Sequence, residues 1–374
     1  MQAVTFVLRP TATYQALDLA VPTAYLGMLG ASFAVVPLVL ATPAGQIVDR
    51  FGERRMLITG PILLALSVLS FIAWGDTVPG LIAATMLLGI GHLCAVVAQQ
   101  ALVANRTPAG RYDTAFGYYT FAASLGQALG PGLIIIFGGG RTVPDTHAIF
   151  LGTLAITAPL LVIAVLLRPS AAVSARPDSG PGGFRELLAR PGLPRALLVS
   201  CIVLAAVDIT LVYLPALGTE RGIAAGTVGV LLTLRALASM TSRLFLGRLS
   251  AAVGRHHLLV GTVAISAAGL LLMLIPMPLW LMAVLIVITG LGLGAGQPLT
   301  MSFLAEAAPP GLRGRAMSLR LTGNRLGQVV IPSTAGVLAV GAGATGVLAL
   351  TAAGLAAAAY AAGSLPPTER TDGE

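Results

Sequence analysis

Apolar runs of bilayer length, each closed by a short polar break, follow one another from end to end of the chain. A helix rises about 1.5 Å per residue, so roughly 20 apolar residues cross a hydrocarbon core about 30 Å thick. Runs at 24–45, 56–75, 79–103, 112–138, 147–167, 195–217, 225–247, 257–277, 279–303, 315–340 and 344–364 therefore predict eleven full crossings. Residues 1–10 are apolar but too short to cross alone.

Composition agrees with the pattern. The 374 residues are 56% hydrophobic and 10% charged, with a mean hydropathy of +0.90, whereas soluble domains carry about 25% charged residues. A polytopic helical membrane protein follows. The net charge of +8 comes from arginine alone, since the sequence has no lysine. Arg50, Arg54, Arg55, Arg106, Arg111, Arg168, Arg176, Arg185, Arg190, Arg195, Arg243, Arg248, Arg255, Arg313 and Arg315 fall on one side of the predicted spans. The opposite loops hold Arg9, Arg141 and Arg221. The rich side is expected to be cytoplasmic, which assigns the charge to topology rather than to nucleic acid. Trp74 and Trp280 then stand at outer span ends, where an interfacial aromatic belt places them. Cys94 and Cys201 are each alone in an apolar run and imply no disulfide or metal framework. The first ten residues lack the basic segment and cleavage site of a secretory signal.

The chain also repeats itself. A shift of 201 residues pairs Gly89 with Gly290, Gly91 with Gly292, Ala104 with Ala305, Pro108 with Pro309, Gly110 with Gly311 and Ala115 with Ala316. It also lays LGQALGP at 125–131 on LGQVVIP at 326–332. A shift of 202 pairs Gly27 with Gly229, Gly45 with Gly247 and Gly52 with Gly254. Two six-helix halves follow, residues 1–167 and 195–374, joined by a Pro-, Gly- and Ser-rich cytoplasmic linker at 168–194 with a short amphipathic stretch at 184–188. Under the repeat, the run at 195–217 needs a partner at the start, and only about its last ten residues are expected there.

The break at 45–56, GQIVDRFGERRM, packs five charges into twelve residues. Gly45, Asp49, Arg50, Gly52, Arg54 and Arg55 fit G-x-x-x-D-R-x-G-x-R-R, and a degenerate copy at 247–255 lacks the aspartate. With the two six-helix halves, this loop resembles the major facilitator superfamily over essentially the whole chain. The resemblance implies an all-α membrane fold of two pseudo-symmetric six-helix bundles, with the first helix incomplete. It also implies that the loop latches the cytoplasmic face: Asp49 meets the positive N-terminal end of the helix beginning near 313, and the arginines pair with Asp113 or Glu53. Gly117, Gly126, Gly130 and Pro131 fit the family's antiporter pattern G-x8-G-x3-G-P, although Ile134 and Ile135 replace its closing glycines. The arginine that family exporters carry four residues before a Gly-x-Gly is absent: Thr85 precedes Gly89-Ile90-Gly91.

Ionisable groups in mid-membrane are costly and mark function or pairing. Asp208, Arg235 and Arg325 lie midway along their spans. Asp208 is the expected proton or substrate-charge site, or else one partner of a fixed ion pair with Arg235. His92 could handle protons in place of the missing arginine, or be a packing residue. Gln99, Gln100, Gln127 and Gln328 are candidates to line the cavity. Arg320 is expected to snorkel to the inner surface, and His256, His257 and Glu306 to sit at the cytoplasmic rim. The expected function is proton-coupled export of small lipophilic molecules by alternating access, with import of a metabolite or organic anion by uniport or symport as the alternative. The expected partners are a small-molecule substrate, protons and lipid, with no nucleic acid, cofactor or metal. A monomer in the cell membrane with its C-terminus in the cytoplasm is anticipated. Neither a nucleotide-binding P-loop nor a cluster of acids or metal ligands supports an ATP-driven pump or a membrane enzyme.

Overall fold

A computed structural model describes residues 1–51, 53–106, 112–167, 188–189, 192–307 and 313–364. The described elements are helical, and no strand occurs among them. In chain order they are α1 (Gln2–Asp18), a 3-10 turn (Thr23–Tyr25), α2 (Leu26–Phe51), α3 (Glu53–Trp74), α4 (Val78–Arg106), α5 (Tyr112–Leu129), α6 (Gly132–Gly138) and α7 (Thr146–Leu166). Then come α8 (Leu193–Glu220), α9 (Ala225–Leu244), the short α10 (Leu246–Val253), α11 (Arg255–Leu272), α12 (Leu279–Ala307), α13 (Arg313–Leu338) and α14 (Gly343–Gly363). Ten described helical spans are long and apolar enough to cross a membrane, one of them running through α5 and α6 together. One long helix outside that set is α13, whose Arg320, Asn324, Arg325 and Gln328 dilute its hydropathy.

Three expectations change. The segment at the start is a helix of 17 residues, longer than the ten or so foreseen. It is buried from Val4 to Ala16, so Arg9 lies in the bundle interior and not in a loop. The span at 112–138 is two helices, because Pro131 caps the start of α6 and has no N–H to continue the ladder. Helix α1 closes with Val21 N–H on Ala16 O and Ala20 N–H on Leu17 O. That closure holds Ala20 at φ +55°, a left-handed position that normally takes glycine.

The sequence repeat appears as repeated contacts. A Cβ on Gly27 of α2 would strike the Pro332 carbonyl of α13. At the paired position, a Cβ on Gly229 of α9 would come within 3.3 Å of the Pro131 carbonyl. Likewise Gly89 abuts the Phe33 carbonyl and Gly290 the Arg235 carbonyl, which places Phe33 and Arg235 at equivalent sites of the two bundles. Gly336 meets the Ala24 carbonyl, and Gly138 faces the Gly226 backbone. Missing side chains thus let α2 approach α13, and α6 approach α9, at backbone distance. The contacts of α2 with α13 and of α6 with α9 join the two bundles toward the arginine-poor end. Among described residues at the other end, Arg54, Arg55, Arg195, Arg248 and Arg255 are exposed. Trp74 and Trp280 are exposed at helix ends.

Candidate functional site

Where α1 meets α8 and α13, a polar network crosses between the bundles. Arg9 of α1 donates through Nη1 to Asp208 Oδ1 of α8 at 2.5 Å. Each side chain is less than a tenth exposed. Gln328 of α13 donates through Nε2 to Asp208 Oδ2 at 2.5 Å, and Arg325 donates through Nη1 to Gln328 Oε1 at 3.1 Å. Above Arg9, the Phe33 ring centroid lies 4.7 Å from the guanidinium carbon. The His92 ring meets Phe33 edge-on at 5.3 Å, and its Nδ1 shares a 3.1 Å hydrogen bond with Thr5 Oγ1. One continuous chain of contacts therefore runs from α4 through α1 and α8 to α13.

The positions of this pair follow from the repeat in a register of its own. A shift of 199 residues lays Val4 on Val203, Thr11 on Thr210 and Tyr14 on Tyr213. Thr11 and Thr210 each bond the carbonyl four residues earlier, and Tyr14 and Tyr213 are both fully buried. The same shift lays Arg9 on Asp208. Equivalent positions of the two bundles thus carry opposite charges and pair with each other.

Asp208 lies at the centre of this network, and its ion-pair partner is Arg9 and not Arg235. Arg235 is 2% exposed, its Nε lacks a partner, and it forms no ion pair among the described residues. It and Arg325 both lie within electrostatic range of Asp208 and Arg9. Arg325 and Gln328 join the network. His92 is buried and bonded to Thr5. Gln127 and Gln99 are half-buried and Gln100 is exposed.

A second polar group, missed by sequence reasoning, lies within the second bundle. Ser200 Oγ donates to Asn324 Oδ1 at 3.0 Å, and Gln297 Nε2 donates to the Ser200 carbonyl at 2.9 Å. Arg320 Nη1 donates to Gln297 Oε1 at 3.1 Å, and Asn324 Nδ2 to the same oxygen at 3.4 Å. Arg320 therefore turns inward and is buried, because Gln297 offers it an acceptor inside the bundle; it does not snorkel. The available signal was a set of amides and a serine interrupting three apolar runs. Between bundles, Arg243 of α9 donates to Ser124 of α5 at 2.8 Å.

The antiporter-like residues pack α5 onto α1: a Cβ on Gly126 would lie 3.0 Å from Gln2 Cβ, and one on Gly130 2.8 Å from the Ala3 carbonyl. Gly117 is helical. In the loop motif, Gly52 lies outside the described residues, and Gly45, Asp49 and Arg50 are described only as part of α2. Glu306, Arg313, Arg315 and Asp113 are likewise helical without described side chains, and the linker at 168–187 lies outside the described residues. Arg54 and Arg55 are exposed and Glu53 is buried.

The sequence model of the Major Facilitator Superfamily matches residues 1–223 and again 196–374. Multidrug resistance protein 1 of Bacillus subtilis is 30% identical over 148 residues, 38% of this chain and 36% of that protein. Quinolone resistance protein NorA of Staphylococcus aureus is 26% identical over 173 residues, 46% of this chain and 41% of that protein. The chain thus spans well under half the length of these relatives. Among solved structures, the nucleoside transporter NupG superposes with a TM-score of 0.76 at 11% identity, covering 96% of this chain and 98% of that one. The inward-open xylose transporter XylE from E. coli gives 0.76 at 15% identity, covering 99% and 96%. These likenesses show the fold, two pseudo-symmetric helical bundles. With its whole length matched by the family, the chain belongs to the Major Facilitator Superfamily.

Proposed function

We propose that this transporter exports small lipophilic molecules in exchange for protons, with Asp208 as the proton-binding group. The observation carrying this reading is that one buried carboxylate bonds both bundles, through Arg9 on one side and Gln328 on the other. Binding a proton cancels the charge that holds Arg9, so the link between α1 and α8 weakens and the bundles can rock about a midplane site. Relatives named for multidrug and quinolone resistance support export. The arginine-rich end is cytoplasmic in this reading, with the protein in the cell membrane and its C-terminus in the cytoplasm. Asp49 would latch the cytoplasmic face in the outward-open state, and the Gly126–Pro131 packing would serve antiport.

Inverted vesicles with an imposed proton gradient and a panel of lipophilic compounds test the reading. Gradient-driven accumulation that keeps its pH dependence in Asp208→Asn would remove the carboxylate from the mechanism. Flux indifferent to the gradient would favour uniport. The alternative, uptake of an organic anion, draws on the arginines beside Asp208.

A further inference from the structure

The charges around the network do not balance. Three guanidiniums, Arg9, Arg235 and Arg325, lie within range of a single carboxylate, Asp208. Arg9 already matches that carboxylate in charge, and Gln328 occupies its second oxygen. Among the described residues, the acceptor that Arg325 finds is an amide oxygen, Gln328 Oε1. Arg235 is 2% exposed, with an unpartnered buried Nε and no ion pair among the described residues. Every other described aspartate or glutamate with a defined side-chain environment, Glu53 apart, is exposed at helix ends or in loops.

An uncompensated buried cation costs several kcal/mol, and guanidinium remains charged at any pH a protein meets. Such a group is stabilised by an anion whose planar oxygens fit its fork of donors. The positions are also asymmetric: Phe33 occupies in the first bundle the site that Arg235 occupies in the second. The repeat alone does not require a cation there.

From this geometry we infer that the central site takes substrates bearing one anionic group, a carboxylate or its like, which is held by the surplus positive charge that Arg235 and Arg325 of the second bundle leave beside Asp208. The inference rests on the network being the transport site and adds the substrate's charge class. Arg9 and Asp208 hold the bundles, while Arg235 and Arg325 hold the cargo. The cargo is an apolar molecule with an acidic head.

Binding of 2-naphthoate and of its neutral isostere 2-naphthamide to the full chain in zwitterionic nanodiscs, at about pH 8 where the carboxylate is ionised, is the test. The wild-type protein should prefer the anion by about tenfold or more, the effect of a charge-assisted hydrogen bond. Arg235→Gln and Arg325→Gln should each erase most of that preference, while Arg235→Lys keeps part of it and Arg141→Gln, in an exposed loop, keeps all of it. Should the glutamine variants fail to fold, the wild-type and Arg235→Lys comparisons still decide. Equal affinity for acid and amide in the wild type, or a preference untouched by both glutamine variants, overturns the inference. Loss of naphthoate binding on adding anionic lipid would assign the cations to a lipid headgroup and also overturn it. The assay needs no gradient, so anion binding without proton-driven flux would refute only the export reading. Proton-driven export with no anion preference would refute only this inference.

Discussion

Replacing Arg9 by methionine keeps most of the side chain's length and removes its charge. In the wild type the pair is more than nine-tenths buried on both sides and closes at 2.5 Å. Removing one partner of such a pair costs about 3–5 kcal/mol, because the other charge is left uncompensated. Gln328 still bonds Asp208 Oδ2, and Arg235 and Arg325 remain within electrostatic range of the carboxylate, which favours the lower end, about 3 kcal/mol. At about 2–4 °C per kcal/mol for a unit of 150–250 residues, the unfolding midpoint should fall by roughly 6–12 °C. Asp208→Asn in the same protein removes the orphaned charge, so Arg9→Met/Asp208→Asn should recover most of the loss. The assay is a double-mutant cycle on the purified full chain, followed by intrinsic fluorescence during heating. Coupling below about 0.5 kcal/mol, the range of independent sites, would refute the claim that this pair holds the bundles together.

Smaller changes test the surrounding design. Gly27→Val places side-chain atoms on the Pro332 carbonyl and should force α2 from α13. The expected cost is about 1–3 kcal/mol, with raised labelling of a cysteine placed at Ser333 by a membrane-impermeant reagent. Ser200→Ala leaves one Asn324 oxygen without its donor and should lower stability by about 1–2 kcal/mol in thermal unfolding. Ala20→Gly relieves the left-handed backbone after α1 and should raise stability by up to about 1 kcal/mol, read as a higher midpoint.

The fold was legible because each rule behind it is local or periodic. Span length follows from hydropathy, and the glycine contacts at Gly27, Gly229, Gly89 and Gly290 follow from the repeat, since only missing side chains permit such crossings. Arg9 was not legible. A cation near the start of a short apolar segment reads as a loop residue, and the acid that makes its burial possible stands 199 residues away. Arg320 misled for the same reason, since Gln297 on another helix supplies its acceptor. The interruption of 112–138 at Pro131 was visible as a proline, but whether a proline bends a membrane helix or divides it depends on neighbours.

A duplicated bundle sets a baseline: equivalent residues should do equivalent structural work, so departures mark where the halves have been given different tasks. Tyr14 and Tyr213, or Thr11 and Thr210, obey the baseline and are buried in the same way. At the next equivalent pair the baseline fails as charge, Arg9 against Asp208. At another it fails as aromatic against cation, Phe33 against Arg235. Phe33 packs over Arg9 and against His92, so the first bundle surrounds its cation with rings. The second bundle surrounds its acid with an amide and leaves two further cations nearby. Symmetric packing needs neither arrangement, and each buried charge is destabilising by itself. A role in holding, releasing and loading accounts for their presence together at the contact between the bundles.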